Sequence, residues 1–279
     1  MLSIRYAISV SVLVTLAACG GGGASGGGTT PPPPTTNQSV GGIWTTQYTV
    51  TSGSNTGDVI VAEGIASETG QYFAYSKNTT NGCAGLAFGQ LSVNGNNVSG
   101  NEDAAIVRYS TAVGGATNCV YPDGSTSATG TIIGTVSQRA SLMLTASGTT
   151  SLGGALPADS TTFTFSSLYL NASSLATIAG NYNDGGPTMT VDANGAIFEQ
   201  DPNGCVLSGQ VSIINPAYNA YGIQLTFANC TGTSAGLNGV VASGLVMLDT
   251  STSPATVIGG ITGNISGQLF VEAFNLPRM

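Results

Sequence analysis

Alternating apolar side chains are the pattern that most constrains the fold of this sequence. Within residues 221–228, Tyr221, Ile223, Leu225 and Phe227 occupy every second position. Successive side chains of a strand point to opposite faces, so this period predicts a strand with one buried face. The same period recurs along most of the chain. Pairs that form tight turns separate the segments: Asn94-Gly95, Asp123-Gly124, Asp184-Gly185, Asn194-Gly195, Asn203-Gly204 and Asn238-Gly239.

The sequence favours an all-β fold. No segment of eleven or more residues carries a capped helical stripe, and at most a short helical turn is expected at 173–179. We expect about eight strands in each half. They are placed near 43–50, 58–66, 71–76, 84–93, 104–109, 130–137, 140–147 and 161–170, and near 180–183, 187–192, 195–200, 205–214, 220–228, 237–248, 255–262 and 265–274.

Closed barrels suit these strands best. Only 6% of the residues are charged, so few Lys or Glu side chains are available to protect exposed sheet edges. Closure removes the edges altogether, and an eight-stranded barrel has its interior filled by side chains or holds one small ligand. We therefore predict two tandem, lipocalin-like antiparallel barrels, 40–172 and 173–279, joined near 171–179. A single larger sandwich, or barrels that share strands, is the alternative.

The first 18 residues have the three parts of an export signal. Arg5 supplies a positive charge, residues 7–18 form a short apolar run, and small residues precede Cys19. The run Leu16-Ala17-Ala18-Cys19 resembles the lipobox of bacterial lipoproteins. The resemblance implies lipid on the Cys19 thiol, removal of residues 1–18, and membrane attachment through the acyl chains. An ordinary secretory signal that happens to end near a Cys is the alternative.

Residues 19–39 predict a disordered tether. They contain many Gly residues and four consecutive Pro residues at 31–34, and they lack apolar periodicity. Gly20, rather than Asp, follows the lipidated Cys, which by resemblance to enterobacterial lipoproteins implies the outer membrane. The protein would be anchored there on the periplasmic face or at the cell surface.

A duplicated unit is visible in the cysteine motifs. Asn81-Gly82-Cys83 recurs as Asn203-Gly204-Cys205, and Asn118-Cys119 recurs as Asn229-Cys230. With Cys19 lipidated, four Cys remain and three pairings are possible. The repeat favours one disulfide in each copy, and an oxidising compartment favours disulfides in general. The predicted bonds are Cys83–Cys119 and Cys205–Cys230. A four-Cys metal site is the competing interpretation, but the spacing lacks a C-x₂-C pair and the chain has no His.

The second half resembles a group of uncharacterised proteobacterial β-barrel lipoproteins. The resemblance covers about a hundred residues, and its motifs include Tyr182, the second Asn-Gly-Cys motif and Asn238-Gly239. Its most specific part is Tyr218-Asn219-Ala220-Tyr221. The Gly-rich tether also resembles those of surface lipoproteins of the transferrin-binding and factor-H-binding type. Neither resemblance implies an activity for named residues.

Composition excludes several classes of function. Loss of Arg5 with the leader leaves four basic and 13 acidic residues, a net charge of −9. Such a chain lacks the basic patch that nucleic acid or anionic lipid headgroups require. The absence of His rules out Ser-His-Asp and Cys-His arrangements. We expect no catalytic residues, no bound metal and no cofactor.

Several residues are weak candidates for chemistry. Paired carboxylates occur at Glu102-Asp103 and at Glu199 with Asp201. On a strand, Glu199 and Asp201 would share one face, as a glycosidase requires, but a solvated carboxylate in a turn is the favoured interpretation. Asp201 and Asp192 also begin turn sequences that resemble the start of a calcium loop, and turn formation explains them better. Five aromatic residues suggest either a binding surface or core packing, with core packing favoured; they are Trp44, Tyr48, Tyr72, Phe73 and Tyr75. Lys77 and Arg108 are conspicuous among so few cations. Each is a candidate to pair with an acidic neighbour or an anionic ligand, with ordinary surface exposure favoured.

Three functions remain as expectations. The first is a non-enzymatic, lipid-anchored envelope protein that presents a binding surface to a protein or glycan partner. The second is a carrier that holds a small apolar ligand inside a barrel. The third is a hydrolase that uses carboxylates alone.

Overall fold

A computed structural model describes residues 7–9, 37–51, 56–109 and 119–279. The predicted all-β fold is confirmed, with two tandem antiparallel sheets of eight strands and one disulfide in each. A short strand, β1 (Ala7–Ser9), pairs with the last strand of the chain; it lies in the segment predicted to be removed as a leader. Cys19 and the tether up to residue 36 lie outside the described residues.

The first sheet is a closed barrel. Its strands are β2 (Gly42–Thr49), β3 (Val59–Ala66), β4 (Gln71–Asn78), β5 (Cys83–Asn94), β6 (Asn97–Arg108), β7 (Ser127–Ser137), β8 (Ser141–Thr150) and β9 (Ala155–Ser166). Each strand pairs with the next, and β2 pairs with β9 from Ile43 opposite Ser166 to Thr45 opposite Thr164. This last pairing, over three residues of each strand, closes the barrel.

The second sheet curls into a half-barrel. Its strands are β10 (Gly180–Tyr182), β11 (Met189–Val191), β12 (Ala196–Gln200), β13 (Val206–Ile213), β14 (Tyr221–Ala228), β15 (Val241–Asp249), β16 (Thr256–Ile265) and β17 (Gln268–Pro277). Its first and last strands meet at one end only, where Tyr182 bridges to Arg278 and the Asn183 amide donates to the Pro277 carbonyl at 3.0 Å. The second sheet was predicted to close into a full barrel, but its first and last strands contact each other at only one end. The reason is that β10 is only three residues long.

Short helices connect the elements. A 3₁₀ turn at Ser167–Leu170 and the predicted helical turn, α1 (Leu175–Ile178), lead from the first sheet to the second, and another 3₁₀ turn occupies Gly232–Leu237. Ser174 caps α1 by accepting a hydrogen bond from the Thr177 amide at 3.0 Å. In the described ranges, none of the helices is both long and apolar enough to span a bilayer.

The duplication extends to individual hydrogen bonds. Trp44 Nε1 donates to the Val40 carbonyl at 2.9 Å, and Tyr182 Oη donates to the Ile178 carbonyl, also four residues upstream, at 2.5 Å. In the hairpins β4–β5 and β12–β13, one Gln side chain donates to two carbonyls in the same way. Gln90 is therefore equivalent to Gln210, which sets the register between the two copies.

The two sheets share a hydrophobic layer. Outward-facing side chains of the first barrel pack against the outer face of β15–β17. A Cβ atom added to Gly260 on β16 would lie 2.5 Å from a ring carbon of Phe73, which shows how closely the surfaces meet. The fully buried members of this layer include Ile43, Ile65, Phe73, Leu245 and Met247. The two units are thus packed as one body over this face.

Residues of the Tyr-Asn-Ala-Tyr motif fasten this junction. The Asn219 amide group donates to the Leu168 and Leu248 carbonyls and accepts from the Leu248 amide at 3.0 Å. The Tyr218 ring stacks on Tyr169 with centroids 4.8 Å apart. The motif therefore has a structural task, since it ties the 167–170 turn to the second sheet.

The segment before β2 crosses one end of the first barrel. The Gln38 amide donates to the Gly95 carbonyl at 2.9 Å, and Gln38 Oε1 accepts from the Gln138 amide at 2.8 Å. Asn37 accepts from the Gly95 amide at 2.9 Å. These bonds join the β5–β6 and β7–β8 turns, so residues 37–39, predicted as the end of the tether, are bound to the closed end of the barrel.

Candidate functional site

The first barrel encloses a cavity of about 380 Å³. Residues that face inward alternate with residues that face outward along each strand, and many of the inward ones are small. The small lining residues include Ala62, Gly64, Ala74, Ala87, Ala104 and Ala146. Because these side chains stop short of the barrel axis, they leave a space within the range typical of small-molecule sites.

Aromatic and branched side chains close the floor of this cavity. Trp44, only 2% exposed, packs edge-on against Phe165 with centroids 5.5 Å apart. Val40, from the segment that crosses the closed end, is also buried in this cluster. The cavity therefore opens toward the other end of the barrel, opposite the point where the tether joins.

A disulfide-anchored loop borders the mouth. Cys119 is bonded to Cys83 at the start of β5, and the chain then runs through Tyr121, whose side chain lines the cavity. Asp123 joins this loop to the β8–β9 turn by accepting hydrogen bonds from Ser125, Thr150 and the Gly154 amide. These bonds lower the pKa of Asp123 to about 2, so its carboxylate stays ionised through the neutral range.

Glu102 brings a carboxylate into the cavity wall. Its strand, β6, places it opposite Gly130 on β7 and across from Tyr72 on β4, whose hydroxyl donates to Glu102 Oε2 at 3.5 Å. Burial raises the pKa of Glu102, and the neighbouring Asp103 charge raises it further. The pKa of Tyr121 is raised to about 12, first by burial and then by the Glu102 charge. Glu102 is thus a half-buried acid among aromatic hydroxyls.

A second carboxylate lies among the lining residues. Asp159 lies on β9, near Tyr48. Burial is the main cause that raises the pKa of the Tyr48 phenol, and the charge of Asp159 raises it further, while a hydrogen bond with Thr161 lowers it. Tyr48 is 38% exposed. Together these three side chains form a polar part of the wall beside the open end.

The structure separates residues that the sequence grouped. Glu102 and Asp103 are adjacent on one strand, so they face opposite sides of the barrel and do not form a carboxylate pair. The aromatic set is also divided. All five residues border the cavity, but Phe73 and Tyr75 also pack in the hydrophobic layer between the sheets.

The carboxylates at the turns serve the turns themselves. Asp201 Oδ1 accepts hydrogen bonds from the Asn203 and Cys205 amides, and Asp192 Oδ1 accepts from the Asn194 and Ala196 amides. This arrangement supports the turn interpretation over a calcium loop or a Glu199–Asp201 catalytic pair. Among the residues that the structure describes, no three acidic or Cys side chains cluster as metal ligands.

Lys77 and Arg108 line one groove between the units. This groove, of about 260 Å³, also includes Tyr109 from the first barrel and Glu272 from β17. Lys77 Nζ lies 5.0 Å from the centre of the Tyr75 ring and 5.7 Å from that of Tyr109, and burial lowers its pKa. These cations face the junction and are not among the residues that line the barrel cavity.

Sequence reasoning missed two residues of the site. Tyr121 follows a cysteine in an irregular loop, and Asp159 lies in a stretch that was not assigned to a strand. The disulfide prediction was the available signal for Tyr121, because a bond from Cys119 to β5 brings the following residues to the barrel mouth. Asp159 carried no comparable signal.

Comparison with known proteins yields no match. No protein-family model, curated protein or solved structure is similar to this chain at a significant level. The site is therefore interpreted from its own geometry.

The buried carboxyl groups make stability depend on pH. The pKa values of Glu63 and Glu102 are both raised in the folded protein, mainly by burial. When folding raises the pKa of an acid, the protonated acid stabilises the folded state. This stabilisation is fully present below the pKa of the unfolded state and is lost as pH rises through the pKa of the folded state. We expect the melting temperature of the ligand-free protein to fall as pH rises from 4 to 8. Glu102→Gln should raise it more at pH 8 than at pH 4. Differential scanning calorimetry checks both results, and identical effects of the substitution at the two pH values would contradict this assignment.

Proposed function

We propose that this protein is a lipid-anchored envelope protein whose first barrel binds one small, largely apolar molecule. The observation that carries the proposal is the cavity of about 380 Å³ inside the closed barrel. Of the three expected functions, the carrier fits this geometry best. No catalytic step is proposed.

A barrel whose own side chains leave a cavity needs an explanation because protein interiors are normally close-packed. Atoms that line a void lose dispersion contacts, so an empty cavity lowers stability. The second sheet contains Leu225, Phe227 and Phe270, each with 0% exposure, on its inner face. The same chain thus fills one interior and leaves space in the other, which supports a ligand in the first.

The surroundings of the mouth suit an apolar ligand. Val120, in the disulfide-anchored loop, is 41% exposed, and Leu152, in the β8–β9 turn that Asp123 binds, is 68% exposed. Exposed apolar side chains at a pocket entrance favour contact with an apolar molecule or with the surface that delivers it. A protein or glycan partner at this rim is the second candidate function.

Lipid on Cys19 would place the cavity in a useful orientation. The tether would end at Asn37 and Gln38, on the closed end of the barrel. The mouth would then face away from the point of attachment, toward molecules or partners in the envelope. The outer membrane remains the proposed location, on the basis of the lipobox and Gly20.

Ligand binding can be tested with the neutral fluorophore N-phenyl-1-naphthylamine. We expect saturable 1:1 binding, with energy transfer from Trp44, which is the single Trp of the chain and lies in the cavity floor. Ala146→Phe places a ring in the cavity and should weaken binding about tenfold or more, a change of about 1.4 kcal/mol or more. Thr131→Phe, on the outer face of the adjacent strand, is the matched control and should bind as wild type does. Saturable binding that Ala146→Phe leaves unchanged would contradict the proposed site.

Membrane attachment is tested at Cys19. Radiolabelled palmitate should enter the wild-type protein in growing cells, and Cys19→Ser should abolish incorporation and release the protein from the membrane fraction. A serine hydroxyl cannot form the thioether on which the anchor depends. If Cys19→Ser fractionates with membranes as wild type does, the anchor proposal is wrong.

A further inference from the structure

The Glu102 carboxylate has little to neutralise it. Its hydrogen bond from the Tyr72 hydroxyl is long, at 3.5 Å. A Cβ atom added to Gly130, which lies opposite, would be 3.2 Å from Glu102 Oε1, so the Gly leaves room for the carboxylate. Burying a charge is costly unless it is paired, and Glu102 gains no compensating charge from these neighbours.

The duplicated half shows what the fold requires at this position. Tyr72 pairs with Gly89, and Gly89 pairs with Glu102, while Ile197 pairs with Gly209, and Gly209 pairs with Leu225. Given the equivalence of Gln90 and Gln210, Leu225 is the counterpart of Glu102, Ile197 that of Tyr72, and Ala242 that of Gly130. The second copy fills these positions with apolar side chains, so neither the carboxylate nor the phenol is a requirement of the architecture.

No cation of the described residues lines this cavity. The basic residues after the leader are Lys77, Arg108, Arg139 and Arg278, and none of them is among the residues that line the cavity. The segments at 52–55 and 110–118, which the structure does not describe, contain no Lys or Arg by sequence. No described residue of the protein supplies a positive charge to pair with Glu102, so a bound molecule is the source that we consider for it.

Aromatic rings line the same space. Trp44, Tyr48, Tyr72 and Tyr121 all contribute to the wall, and Asp159 adds a second carboxylate near the open end. Ring faces attract cations by their quadrupole, most strongly where water is excluded. Aromatic faces together with carboxylates are the combination that recognises an ammonium group.

We propose that the ligand of the first barrel is an amphiphilic amine, with an apolar body against the small side chains and an ammonium group at Glu102. This inference rests on the proposed function and specifies its ligand class. The ammonium group would donate to the carboxylate, and the apolar body would occupy the space that Ala87, Ala104 and Ala146 leave.

Three naphthalene derivatives of matched size test the proposal by isothermal titration calorimetry on the full-length protein at pH 7.5. 1-Naphthylmethylamine is a cation, 1-naphthalenemethanol is neutral and 1-naphthoic acid is an anion. A hydrogen bond to a charged group contributes enough to give the amine roughly tenfold or more tighter binding than the alcohol. The acid should bind more weakly than both.

Glu102→Gln and Asp103→Asn provide a matched pair of variants. Both remove one negative charge from the same strand, but Asp103 is exposed on the outer face. Glu102→Gln should abolish the advantage of the amine over the alcohol, and Asp103→Asn should keep it. Amine affinity should also fall as pH is lowered through the raised pKa of Glu102, with Tyr72, Tyr121, Asp103 and Asp159 as the other ionisable groups nearby.

The outcomes separate the two proposals. Equal affinity for amine and alcohol in the wild type, or equal losses in the two variants, would overturn the amine proposal and leave the cavity as an apolar site. If none of the three compounds binds, and Ala146→Phe gives the same result with N-phenyl-1-naphthylamine as the wild type does, both the cavity proposal and its ligand class are wrong.

Discussion

Small side chains on the inner face of a closed barrel are the constraint on which the rest of this structure depends. The pairing of β2 with β9 fixes the circumference, so the interior volume does not adjust to its contents. Where the lining is Ala and Gly, space remains; where it is Trp44, Ile132 and Phe165, the floor is closed. The disulfide from Cys83 to Cys119 then sets the border of the open end. Each of these features follows from residue size and strand register.

Duplication gave one scaffold two uses. Both copies have the same Gln side-chain hydrogen bonds and one disulfide. In both, an aromatic side chain donates a hydrogen bond to the carbonyl four residues upstream. In the second copy, the inward-facing residues form a packed hydrophobic core. Its outer face packs against the outside of the first barrel. Asn219 and the Tyr169–Tyr218 stack hold the two together. The second half therefore stabilises a wall of the first, and the first is free to carry polar groups inside.

The sequence predicts this fold well and its site poorly, for one physical reason. The sequence predicts every described strand except β1, because alternation and turn pairs follow directly from strand geometry. The expected strands near 104–109 and 161–170, however, left out the first parts of β6 and β9. Those parts contain Glu102 and Asp159, the two carboxylates of the cavity. A strand is predicted from apolar residues at alternate positions, so the prediction misses segments whose inward-facing residues are polar. The disulfides, in contrast, were predictable because the Asn-Gly-Cys motif occurs once in each half.

Native mass spectrometry of the protein extracted from its own membranes tests the central claim most directly, which is that the first barrel holds a molecule. We expect the wild-type protein to carry one additional non-covalent mass of a few hundred daltons, beyond the lipid proposed for Cys19, and Ala146→Phe to lack it. If wild type and Ala146→Phe give the same mass after correction for the substitution, the barrel is not a ligand site and the account is wrong.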